Sequence, residues 1–288
     1  MDVFMYDGVE YIRNPNGTWC KTNYEAVLDG MKDRLKKAYR AENPNKVPEE
    51  KDSGNISIYS RIHEFDKKHA PHTLRAFTIY RNQYLTVETA GYHREDYTKY
   101  KDPGNPDFIN YLKNTFNDCD TSVLENAKNK VIDILEEDLP QVMKENGLSN
   151  CVIVAIPRAK RYETYTRKQL MLIEAISEAA EAIPGAEDGT QVIHRHTNTK
   201  TTHLGSEKSR YRADGIRELN TGDPPYPGIT KKTCTIDASK VKGKNVILID
   251  DIYTKTINID EDAIQALLDN GAKRVVFYAI AKTKGRYE

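Results

Sequence analysis

The chain has 288 residues, 38% apolar and 30% charged, with 43 Lys+Arg balancing 43 Asp+Glu. That length accommodates one large domain or a domain with an accessory part, and the composition reads as soluble and globular. No apolar run approaches the ~20 residues of a membrane helix. The opening MDVFMYDGVE lacks a basic start and a long apolar core, so neither a membrane nor a signal peptide is expected, and the expected location is the cytoplasm. Cys20, Cys119, Cys151 and Cys234 are far apart with no CxxC pair. This argues against a zinc ribbon and for reduced thiols, which are more often buried than nucleophilic. From Ser149 onward there are 22 Lys+Arg against 18 Asp+Glu, a mild positive bias that suits an anionic ligand in the C-terminal half.

In chain order, MDVFMYDG and VEYIRN predict two short strands, with NPNG as a turn, followed by a helix over 23–42. NPNKVPEEKDSGN is rich in helix breakers and reads as a linker. TLRAFTIYRNQYLTVETAGYH predicts two strands from its β-branched and aromatic residues, and KYKDPGNPD a loop. A helix is expected over 121–147, with Ser122 and Glu125 as a capping box, Pro140 as a kink and Gly147 as its end. CVIVAI is a short continuous apolar run, as in a strand buried on both faces. A helix over 166–183 follows, stopped by Pro184-Gly185; then come a short strand QVIH and a long polar segment from Arg195 to Thr233. NVILI, a helix DEDAIQALLDNG and RVVFYAI complete the chain. Alternating buried strands and helices predict an α/β fold with a parallel sheet covered on both faces.

The stretch VILIDDIYTKTIN, Val246 to Asn258, carries the chemistry. A buried strand runs into Asp250 and Asp251, and ligands of open parallel sheets sit at the carboxyl ends of strands. Two adjacent carboxylates repel each other and are costly to bury alone. A sugar diol, a lysine or a metal ion is therefore expected beside them. The next helix starts near Asp260, with Asn258 and Glu261 at capping spacing. Helix-start N–H groups bind phosphate, and Thr254, Lys255 and Thr256 can add hydroxyls and a positive charge. Acceptors for hydroxyls beside donors for phosphate suit a ribose 5-phosphate.

This stretch resembles the phosphoribosyl-pyrophosphate (PRPP) motif of type I phosphoribosyltransferases, in which four apolar residues precede D-D, two apolar-type residues and T-T-G-x-T. Tyr253 and the GAKRVV turn look most like the ComF branch, also described as amidophosphoribosyltransferase-like. VIVAIPRAKRYETYTRKQLMLIEAI resembles that branch's first core strand, pyrophosphate loop and helix, and RHTNTKTTHLGSEKSRYR is a looser match to its basic segment. The resemblance covers roughly 149–283. It implies a phosphoribosyltransferase core over 149–288 and a hood-like region with its helix over 85–148; residues 1–84 match no part of that family and are read from their elements as an α+β accessory region.

It also implies that Asp250 and Asp251 hold the ribose 2′ and 3′ hydroxyls at the catalytic centre. Thr254, Lys255, Thr256, Ile257 and Asn258 would hold the 5′-phosphate, and Pro157, Arg158, Ala159 and Lys160 the pyrophosphate. Mg²⁺ is the implied cofactor, carried by the ligand, with Asp250 and Asp251 the candidate side chains beside it. The implied activity is transfer of phosphoribosyl from PRPP to a nitrogen acceptor, or the reverse. Two positions depart from the pattern: Thr256 replaces the glycine, and Asn258 the last threonine. The glutamine-using relatives need an N-terminal nucleophilic cysteine, whereas Met1-Asp2 opens this sequence, so no glutaminase chemistry is expected.

Other readings stay open. The altered loop fits a PRPP or nucleotide sensor without turnover. Arg195 to Arg217 holds six basic residues against two acidic and suits single-stranded nucleic acid; the ComF resemblance implies an association with DNA uptake, and the unusual motif leaves open an effector that depletes or modifies a nucleotide pool, as in phage defence. His194, His196 and His203 are spaced for a metal but have no carboxylate or thiol to complete a set. The tyrosines of YHREDYTKY are read as packing residues before base-stacking ones. A two-fold homodimer is the default assembly.

Overall fold

The computed structural model describes residues 2–6, 9–13, 73–98, 105–115, 117, 119–201, 210–211, 217–218 and 222–284. The helix expected over 23–42 and the linker after it lie outside these residues. The chain divides into two compact units. One comprises Met1–His72, Asp96–Pro106 and Thr283–Glu288; the other comprises Thr73–Glu95 and Asp107–Lys282.

In the first unit, β1 (Asp2–Tyr6) pairs antiparallel with β2 (Val9–Arg13). Tyr6 stands opposite Val9, with Asp7-Gly8, a favoured hairpin dipeptide, between them in sequence. The main-chain N–H and hydroxyl of Thr98 both lie within hydrogen-bond distance of Asn105 Oδ1, at 2.6 and 3.0 Å.

The second unit carries the sheet. Its elements are β3 (Arg75–Ile79), β4 (Thr89–Tyr97), α1 (Asp107–Lys113), α2 (Thr121–Glu145), β5 (Cys151–Ala155), α3 (Arg167–Ala182), β6 (Ala186–Asp188) and β7 (Ile193–Arg195). After these come β8 (Arg210–Tyr211), β9 (Arg217–Glu218), β10 (Cys234–Ile236), α4 (Ala238–Val241), β11 (Asn245–Tyr253), α5 (Ile259–Asp269) and β12 (Arg274–Thr283). Six strands form one sheet in the order β3-β4-β12-β11-β5-β6. β12, β11, β5 and β6 pair in parallel; β3 and β4 pair antiparallel. The fold is thus α/β with a mainly parallel sheet between helices. β6 lies outward from β5 and β12 outward from β11, so the strand order reverses between β5 and β11. Ligand crevices form at such a switch point.

Period-two alternation divides the strand residues between two faces. Val152, Val154, Val246, Leu248, Val275 and Phe277 pack with Ala263, Ile264 and Leu267 of α5. On the other face, Tyr278 donates its hydroxyl to Asp138 of α2 at 2.6 Å. Arg94 of β4 grips the same carboxylate through Nε at 2.9 Å and a terminal nitrogen at 2.5 Å. Burial of Asp138 is tolerable because both oxygens are satisfied.

Local signals set the helix ends. α2 closes on Gly147 at φ +64°, where Leu148 N–H returns to Met143 O at 2.9 Å, the left-handed ending that glycine favours. Its start differs from expectation: Asp120 is the N-cap and makes no side-chain cap, so Ser122 and Glu125 do not form the capping box. Pro140 lies inside the helix. At α3, Thr166 N–H donates to Gln169 Oε1 at 3.2 Å.

Cys119, Cys151 and Cys234 are free. Burial pushes the Cys151 thiol up to about 11, which leaves it protonated and inert at neutral pH. Tyr92 and Tyr97 are buried and serve as packing residues. No helix among the described residues is long and apolar enough to cross a membrane.

Candidate functional site

β11 is paired unequally along its two edges. On one side it runs with β12 as far as Tyr253, opposite Lys282. On the other its pairing with β5 ends at Ile249, opposite Ala155, closed by Ile156 N–H to Ile249 O at 3.0 Å. Asp250 and Asp251 therefore lie within the strand, just beyond the point where β5 turns away. A pocket of about 370 Å³ opens there, within the size range of small-molecule sites. Its walls include Pro157 to Lys160, Asp250, Asp251, Thr254, Ile257, Asp260 and Lys113.

Alternation sends the two carboxylates to opposite faces of the sheet. Asp251 points toward α1, where Lys113 Nζ stands 3.0 Å from its Oδ2. Asp250 points toward α5 and hydrogen-bonds Asp260, and it also accepts from the Asp251 main-chain N–H. Burial, and then the charge of Asp251, push the Asp250 carboxyl up to about 7. Asp260 is 3% exposed and is raised well above the usual range by burial and then by Asp250. Two carboxyls in this contact repel each other when both are ionised, which favours a state in which one of them keeps its proton. Of the three partners expected for the pair, the lysine is present at Asp251; a second carboxyl stands at Asp250.

The 254–258 segment makes a turn closed by Ile257 N–H to Thr254 O at 2.8 Å. Thr256 has no positive φ, since Asn114 and Asn117 are the described non-glycine residues that do. The turn thus takes a conformation that suits a β-branched residue, which answers the missing glycine. Thr254 and Ile257 line the pocket; Lys255 and Thr256 are exposed outside it. Asn258 is the N-cap of α5, but its side chain accepts from Asn82 Nδ2 at 3.0 Å and does not cap the helix. Glu261 accepts from the Tyr253 hydroxyl at 3.1 Å, so the expected Asn258–Glu261 relation is not formed. Asp260, Glu261 and Asp262, all buried, occupy the first turn of α5. Their carboxyls sit among the N–H groups that an anion would seek.

Pro157, Arg158, Ala159 and Lys160 all line the opposite wall. Arg158 is a strut: it donates to Gln169 O at 2.6 Å and Lys113 O at 2.5 Å, and lies over the Tyr165 ring at 4.8 Å. Lys160 Nζ donates to Thr199 O at 2.9 Å, and Thr199 N–H donates back to Ala159 O at 2.7 Å. Buried Arg195 donates to Arg158 O at 2.7 Å and Gly228 O at 3.0 Å, and burial lowers its guanidinium from the ordinary value. The segment after β7 thus laces onto the 157–160 loop.

Lys113, Asp260, Arg195 and Thr199 were not singled out by the sequence for this site. His194 lies 3.4 Å from Glu163, and His196 is exposed; His203 is outside the described residues, as is most of 202–221.

No protein-family model matches the chain, and no curated protein matches it. A solved structure described as the allosteric regulatory enzyme of purine biosynthesis matches 60% of this chain at 13% identity, with a TM-score of 0.32. The match spans 30% of that enzyme's chain.

Proposed function

We propose that the pocket between β5 and β11 binds PRPP, or a nucleotide with the same ribose 5-phosphate, and that the protein transfers phosphoribosyl to or from a nitrogen acceptor. The observation that carries this reading is the vicinal Asp250–Asp251 pair at the switch point, facing a 370 Å³ pocket with cations on its opposite wall. Vicinal carboxylates accept from a vicinal diol, with Asp250 and Asp251 each taking one ribose hydroxyl. Thr254 and the turn to Ile257 would meet the 5′-phosphate, while Lys255, Thr256 and Asn258 shape that turn from outside. The 157–160 loop would meet the pyrophosphate, with Arg158 holding the loop in form.

Mg²⁺ fits this arrangement as a ligand-borne ion. Among the described residues no three His, Cys, Asp or Glu side chains are grouped to hold a metal. Mg²⁺ characteristically binds through one or two carboxylates together with substrate phosphates, and Asp250 and Asp251 supply such oxygens. When bound it would neutralise charge on the departing pyrophosphate.

A second reading, a PRPP or nucleotide sensor without turnover, rests on the altered 254–258 turn, where Thr256 and Asn258 replace the glycine and last threonine of the phosphoribosyltransferase pattern. Calorimetric titration with PRPP, with and without Mg²⁺, tests both, beside the Asp250→Asn/Asp251→Asn variant. Magnesium-dependent binding lost in the variant supports the diol site. Pyrophosphate release with a nucleobase then marks an enzyme, and binding without release a sensor. Absence of binding of both PRPP and nucleoside 5′-monophosphates by the native protein rejects both.

A further inference from the structure

We propose that Lys113 is the specificity-determining cation of this pocket, changing partners from Asp251 to the ligand and thereby selecting sugars that carry an anionic group beside the diol. The proposal rests on the ribose-phosphate reading above and names the residue that separates a pyrophosphorylated sugar from one without that group.

The first ground is how each cation in the wall is committed. Arg158 and Arg195 each donate to two main-chain carbonyls, and Lys160 donates to one. Turning any of these toward a ligand would strand acceptors in a half-buried wall, which is costly. Lys113 is paired with a carboxylate that the ligand itself would engage. Its ammonium is 3.0 Å from Asp251 Oδ2, with both side chains about four-fifths covered. A ribose hydroxyl that donates to Asp251 Oδ2 competes with the ammonium for that oxygen and weakens the pair without removing the carboxylate charge. An anionic ligand group then offers the half-buried ammonium a second charged partner. A ligand without such a group does not. The four-carbon stem of lysine can swing between the two partners.

The second ground is that the backbone of α1 is fixed without the Lys113 side chain. Ile109 and Leu112 are buried at 1% exposure. The Lys113 carbonyl accepts from Arg158, and Asn114 Nδ2 donates to Lys168 O at 3.3 Å. The ammonium is therefore presented from a rigid base. The carbonyl of the same residue anchors the 157–160 loop, so this one position touches both walls of the pocket.

The test uses the full chain with Lys113→Met, which keeps the stem's bulk, and Lys113→Arg, which keeps the charge. Each is titrated with PRPP, ribose 5-phosphate and inorganic pyrophosphate in Mg²⁺ at two ionic strengths, after thermal melts establish that the variants fold. For Lys113→Met the expected result is PRPP and pyrophosphate affinity lowered on the order of tenfold, with a weaker salt dependence. Ribose 5-phosphate affinity should hold or rise, and Lys113→Arg should recover most of the PRPP affinity. Equal losses for PRPP and ribose 5-phosphate, or no loss for PRPP, overturn the role of Lys113 while leaving the diol site standing. Failure of the native protein to bind any of the three overturns the ribose-phosphate reading and this proposal with it.

Discussion

Asp250 and Asp260 hydrogen-bond each other across the start of α5, one carboxyl at the end of a buried strand and the other in a helix's first turn. The contact follows from alternation along β11, which aims Asp250 at the face that α5 covers. It has consequences for stability and for binding.

Both carboxyls have folded-state pKa values above their unfolded ones, Asp250 at about 7. A raised carboxyl contributes stability that is complete below the unfolded pKa, near 4, and lost as pH rises through the folded value. The protein should therefore lose stability between pH 5 and 8. Asp260→Asn keeps a donor toward Asp250 without the charge. It should stabilise by on the order of 1–2 kcal/mol at pH 8, a few degrees in Tm, and by much less at pH 5. Calorimetric melts at the two pH values check this; an equal shift at both would remove the shared proton from the account.

Hydroxyl acceptance by Asp250 improves when it ionises, so PRPP binding should strengthen from pH 6 to 8 with a midpoint near 7. The hydrogen bond from Asp260 lowers the Asp250 pKa. Asp260→Ala should thus move the midpoint up, whereas Asp260→Asn should leave it in place. Affinity measured against pH for the three proteins separates these outcomes.

Asp262 stitches the neighbouring loop: its Oδ2 accepts from Gly228 N–H at 2.5 Å and Ile229 N–H at 2.7 Å. Asp262→Ala leaves two buried donors without a partner and should cost about 2–4 kcal/mol. Asp262→Asn retains an acceptor oxygen and should recover about half of that. Urea unfolding gives both values, and a loss below about 1 kcal/mol for the alanine would mean that the loop finds other acceptors.

Because Thr256 already sits in ordinary backbone, placing at this position the glycine of the phosphoribosyltransferase pattern should bring no benefit. Thr256→Gly is expected to lower stability by about 0.5–1 kcal/mol through backbone entropy, without tightening PRPP binding. A several-fold gain in affinity would show that the 254–258 turn rearranges when ligand arrives.

The buried strands were legible because β5, β11 and β12 are continuous apolar runs, and the aspartate pair was legible because it interrupts one of them. β6 was not: its residues Ala186, Glu187 and Asp188 are half-buried, so this three-residue edge strand shows no apolar pattern. α1 spans seven residues, too few for a helical period to stand out, and Lys113 was missed with it. Asn258 and Glu261 had capping spacing, but Asn82 and Tyr253, distant or on the adjoining strand, took their side chains. Local spacing registers which partners are near in sequence and is blind to tertiary competitors. The Asp250–Asp260 contact combines both: the carboxyls are visible, but their meeting depends on the face to which α5 returns.

The unequal pairing of β11 divides the pocket by mechanical character. The strand carrying the carboxylates is held by β12 as far as Tyr253, while the facing side consists of loop and side chain beyond the end of β5. A ligand bonded to both aspartates would also rivet together two layers that alternation keeps apart, since Asp251 answers to α1 on one side of the sheet and Asp250 to α5 on the other. Occupancy of this single crevice would then be felt on both faces of the sheet at once, with the strand itself hardly stirring.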